Sequence, residues 1–82
     1  MPFMRGPFYY ENKEEKLVAH INEVDGVYQI EFEEDGNRFA TIKYPENSIT
    51  YVEDAAFNYI SGIFTREDVL RHAEKTNEPE VI

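Results

Sequence analysis

The 82-residue chain contains no cysteine and no tryptophan, has only four glycines and four prolines, and carries 8 basic residues against 17 acidic ones. Each shortage closes a route. Without cysteine there are no disulfides, no thiolate nucleophile and no thiolate zinc site, and two histidines are few for any other metal centre. The formal net charge of −9 repels phosphate backbones and anionic lipid, so neither direct nucleic-acid binding nor membrane attachment is expected. No apolar run approaches the roughly 18 residues of a membrane span. The apolar start, Met1 to Phe8, is interrupted by Pro2, Gly6 and Pro7 and lacks the continuous stretch of a secretion signal. A cytoplasmic location is the resulting expectation. The glycines at 6, 26, 36 and 62 are isolated, which excludes a Gly-rich phosphate loop, and no cofactor is expected.

What is present is an aromatic surplus, 6 Phe and 6 Tyr, enough to build a core despite the charge. The length fits one small domain over 1–82, with an N-terminal arm at 1–6 and a loose tail at 78–82. A domain of this size removes only about 60–65% of its unfolded surface from water. Its stability must come from packing within the chain or across a subunit interface.

Two Asp-Gly pairs, Asp25-Gly26 and Asp35-Gly36, are flanked by segments rich in β-branched and aromatic residues, the strongest hairpin signal available. A two-residue turn at Asp25-Gly26 sets Val24 opposite Val27, Ile21 opposite Ile30, Ala19 opposite Phe32 and His20 opposite Glu31, which separates an apolar face from a polar one. The same turn at Asp35-Gly36 would bring Lys43 to the apolar face. A three-residue loop, Glu34-Asp35-Gly36, with a G1 bulge instead brings Ala40 and Ile42 inward and leaves Phe39 on the outer face beside Glu31. With a further strand around Phe8, Tyr9 and Tyr10, the sheet is a four-stranded antiparallel meander over about 7–44.

After Pro45, Glu46, Asn47 and Ser48 the apolar period changes from two to about 3.6. Val52, Ala55, Ala56, Tyr59 and Ile60 predict a helix over about 51–61, with Thr50 and Glu53 at capping-box spacing and Gly62 as its stop. A fifth strand at Ile49 to Val52 is the rival reading. Thr65 and Asp68 cap a second helix over about 66–76, with Val69, Leu70 and Ala73 as its apolar stripe and a Glu67–Arg71 pair on its surface. The expected class is α+β, with both helices packed on one face of the sheet.

The inventory for catalysis is thin. Ser48 and Ser61 fall near helix ends, where capping explains them. The sharpest constellation is His20 opposite Glu31, with Glu33 on the same strand and His72 on the last helix, capable in principle of acid–base or metal chemistry. A solvated cross-strand pair explains the same residues more simply. The catalytic, cofactor and metal sets are accordingly expected to be empty, and a small metal-dependent or acid–base enzyme is the remote alternative.

Two binding readings remain. The first is a non-catalytic interaction or regulatory module, acting on a protein partner or as a homodimer through Phe8, Tyr9, Tyr10 and Phe39, with the strand at Phe8 to Glu11 as an edge open to a second chain. The second is an acidic inhibitor that presents Glu31, Glu33, Glu53 and Asp54 in imitation of a nucleic-acid backbone.

Overall fold

The computed structural model describes residues 3–5 and 8–77. Five strands, β1 (Phe3–Arg5), β2 (Tyr9–Asn12), β3 (Leu17–Val24), β4 (Val27–Glu34) and β5 (Asn37–Tyr44), precede two helices, α1 (Ile49–Ile60) and α2 (Arg66–Asn77). The strands form one antiparallel meander in sequence order. The expected four strands are β2 to β5, and the α+β class is that of the molecule. β1 is an addition: three residues of the expected arm pair with β2, Arg5 opposite Tyr10 and Phe3 opposite Asn12. Tyr10 to Asn12 therefore do not form an edge open to a second chain. Residues 1, 2 and 6 of the arm and the tail at 78–82 lie outside the described residues.

The first Asp-Gly turn has the geometry its composition predicts, with Asp25 at φ 55° and Gly26 at φ 81°, the two left-handed residues of a type I′ turn. Val24 pairs with Val27, and Ile21, Ala19 and His20 meet Ile30, Phe32 and Glu31 in the expected register. The second turn corrects the expectation. Asp35 at φ 58° and Gly36 at φ 83° make another two-residue loop, closed by Glu34 opposite Asn37, and not a three-residue one. The extra residue sits further along: Glu33 pairs with Arg38 and Phe32 with Ala40, so Phe39 is a β-bulge. The bulge shifts the alternation by one residue and turns Ile42 inward, opposite Ile30.

Both helices cover one face of the sheet. The core joins Tyr10, Ala19, Ile21, Ile30, Phe32 and Ile42 from the strands to Val52, Ala56, Tyr59 and Ile60 of α1 and Val69 of α2. Phe32 is the hub, meeting Tyr59 edge-on at 4.9 Å and Phe64 at 5.9 Å. Burying a side chain of this kind contributes about 1.5–3 kcal/mol.

The helical reading of 49–52 holds, but the cap lies earlier than Thr50. Ser48 is the N-cap, its Oγ accepting the Tyr51 N–H at 3.3 Å. Gly62, at φ 90°, closes α1 in a Schellman motif: its N–H bonds the Tyr59 carbonyl, and the Ile63 N–H bonds that of Asn58. At α2 the expected box is formed. The Asp68 N–H donates to Thr65 Oγ1, while the Thr65 N–H and hydroxyl donate to Asp68 Oδ2 and by those two bonds hold the Asp68 carboxyl below its ordinary range. Arg71 pairs with Asp68 at 3.2 Å in place of the expected Glu67. Neither helix is long and apolar enough to cross a membrane.

Candidate functional site

Strand alternation leaves the second face of the sheet without a helix among the described residues. From β2 to β5, one row across it reads Tyr9, His20, Glu31, Thr41, and the next reads Glu11, Val18, Glu33, Arg38. Beyond them lie Asn22, Gln29 and Lys43, then Val24 and Val27 at the turn. Helix-facing partners of these residues, such as Ala19, Ile30 and Phe32, are fully buried, while the outer residues are exposed or half-buried.

Side chains on this face are ordered by their neighbours. Glu31 is held twice, by Arg38 at 2.9 Å through Oε1 and by Asn22 at 2.9 Å through Oε2. Tyr9 donates its hydroxyl to Glu11 at 3.1 Å and sets its ring edge-on to His20 with centroids 6.1 Å apart. Partial burial, the bond to Glu11 and the negative charges of Glu11 and Glu33 all push the Tyr9 phenol up from its ordinary pKa.

His20 and Glu31 do stand opposite each other in register. Each is engaged elsewhere, His20 with the Tyr9 ring and Glu31 with Arg38 and Asn22. His72 lies on α2 in the opposite layer, against Phe64 at 5.3 Å, so the two histidines do not converge. Among the described residues no group of three or more His, Asp and Glu side chains is placed to hold a metal ion.

The expected interaction residues divide. Phe8 and Tyr9 are exposed, at 49% and 37% of their surface. Tyr10 is not available, since at 3% exposure it belongs to the core; as the inward neighbour of Tyr9 it takes the other side of the pleat. Phe39 is not on the outer face either. The bulge turns it to the helix side, half-buried, 6.1 Å from the Tyr59 ring and beneath the Arg66 guanidinium at 4.7 Å. The four acids of the inhibitor reading are also separated, because Glu31 and Glu33 project from the bare face whereas Glu53 and Asp54 ride on α1 in the other layer.

Two features carry no signal in the linear pattern. Asn12, the last residue of β2, is buried and donates Nδ2 to the Ile60 carbonyl at 2.8 Å while its Oδ1 accepts the Glu15 N–H. Tyr44 and Tyr51, either side of the Pro45 to Ser48 break, meet edge-on at 6.0 Å. Compared with protein-family models, with curated proteins and with solved structures, the chain finds no match in any of the three.

Proposed function

We propose that this chain is a small non-catalytic interaction module that associates through the bare face of its sheet, with a second copy of itself as partner. The observation that supports this is the order of charges in the two central rows. Consider two copies placed face to face about a two-fold axis parallel to the strands between β3 and β4. The axis exchanges β2 with β5 and β3 with β4. Glu11 then lies over Arg38 of the other copy, His20 over Glu31, Tyr9 over Thr41 and Val18 over Glu33. Every such match occurs twice, as an isologous interface requires, and aligned sheet packing keeps the strands of the two copies within about 30°.

The tyrosine contributes an amphipathic ring at the rim, a residue type favoured at interfaces. Complementary charges fix the register and disfavour other partners more than they add affinity. The net charge of −9 opposes association in general, so the pairing strengthens as salt is raised from low values, until screening reaches the matched pairs themselves.

A charge-exchange series tests the arrangement. Glu11→Arg and Arg38→Glu each turn two attractive juxtapositions per dimer into repulsive ones, and each is expected to weaken association about tenfold or more. The double variant Glu11→Arg/Arg38→Glu restores the match in reversed sense and, although it also breaks the Arg38–Glu31 pair within each chain, is expected to recover part of the loss. Light scattering coupled to size exclusion reads the masses, with circular dichroism verifying the fold. Failure of the double variant to recover rules this two-fold arrangement out.

A further inference from the structure

On the helix side, away from the bare face, a groove of about 380 Å³ lies between the end of β5, α1 and the loop into α2, a volume within the range of ligand sites. Its walls are unusually aromatic. Tyr44, Tyr51, Phe64 and His72 line it together with Ile63 and Asp54, and the rings form two edge-on pairs, Tyr44 with Tyr51 and Phe64 with His72. Tyr51 and Ile63 are 54% and 70% exposed, although both are large apolar side chains. The Schellman turn at Gly62 projects Ile63 there.

Asp54 decides what such a groove admits. Asp54 is the only carboxylate in the lining, and its side chain makes no ion pair among the described residues. A purely apolar occupant would strip water from this carboxylate and give nothing in return. An anionic occupant would meet both Asp54 and the net charge of −9. A cation satisfies the carboxylate and is also attracted to the negative faces of aromatic rings.

We propose that this groove binds the cationic side chain of a partner protein, a lysine or arginine whose charged head lies by Tyr44, Tyr51 and Asp54 and whose alkyl stem runs along Ile63 and Phe64. The site is independent of the sheet-face association and lies in the opposite layer.

The test titrates the full chain with acetyl-Gly-Lys-Gly-amide and with the same peptide carrying norleucine, which keeps the stem and removes the charge, while amide NMR resonances are followed. The lysine peptide is expected to shift the amides of Tyr51, Asp54, Ile63 and Phe64 saturably, with the norleucine midpoint about tenfold higher or more. Asp54→Asn and Tyr51→Leu are each expected to raise the lysine midpoint about 2- to 30-fold. Glu14→Gln, an exposed acid between β2 and β3 outside both the groove and the bare face, should leave it unchanged, which separates a site from the general attraction of an acidic protein for cations. Both groove variants alter exposed side chains, and the helix cap uses only the Tyr51 backbone N–H. Equal midpoints for the two peptides, shifts spread over both faces, or no saturable shift up to about 20 mM peptide would each overturn the proposal.

Discussion

Asn12 and Tyr59 show how much of this small fold rests on single polar groups. Asn12 ties the end of β2 to the last turn of α1 through the Ile60 carbonyl, one of the helix-end acceptors without an intrahelical partner. Replacing it by alanine leaves that buried carbonyl unpaired and is expected to cost about 1–3 kcal/mol, read as a lower urea midpoint at constant slope. Tyr59 does comparable work at the bulge, where the ladder is interrupted. Its hydroxyl donates to the Glu33 carbonyl at 2.7 Å. Neither role is visible in the linear sequence, because an asparagine near a turn and a tyrosine on an apolar stripe each have a simpler local explanation.

The same tyrosine sets an alkaline limit. Burial, then the charge of Glu34, raise the Tyr59 phenol above its ordinary value of 10.0, with Arg66 opposing, and burial with Tyr51 nearby does the same for Tyr44. In the unfolded chain these groups release their protons near pH 10 while the folded chain retains them. Stability is therefore complete below about pH 10 and falls as pH rises above it. Tyr59→Phe and Tyr44→Phe together should flatten that fall in urea titrations between pH 9 and 11, whereas an unchanged slope would place its origin elsewhere.

At the scale of elements, the two hairpins divide what was legible from what was not. Asp25-Gly26 gave its turn type and its whole register directly, because both central residues favour the left-handed conformation a type I′ loop requires. Asp35-Gly36 carries the same signal and forms the same turn. Ala40 and Ile42 face inward as the apolar pattern predicts, but the parity change occurs at Phe39 and not in the loop. A bulge is fixed by what the extra residue packs against, here Tyr59 and Arg66 from the helical layer, and no strand-local pattern contains that information.

This placement makes a direct prediction. Phe39→Ala is expected to lower stability by about 1–3 kcal/mol, below the range for a fully buried phenylalanine, and to leave self-association unchanged. An outer-face Phe39 would give the reverse result, with stability kept and association lost. Gly36→Ala, which forces a Cβ into φ 83° in otherwise open space, should cost about 1 kcal/mol through backbone strain alone.

For the whole molecule, the layer order followed from periodicity: strands with period two, then helices with period 3.6, all apolar stripes meeting on one side of the sheet. What periodicity could not supply is the composition of the opposite face, since that depends on register across four strands at once. Once β2 to β5 are aligned, acids that look dispersed along the chain fall into rows with His20 and Arg38 at complementary positions. On this face Arg38, paired with Glu31 at 2.9 Å within the chain, is also the residue that the proposed two-fold axis sets over Glu11.

Association through that face is read by sedimentation velocity across a concentration range from about 1 to 500 μM at moderate salt. The prediction is a weight-average sedimentation coefficient that climbs with concentration from monomer toward dimer, and a climb that moves to higher concentration in Glu11→Arg. A single monomeric boundary throughout that range, in a chain shown to be folded, would contradict it.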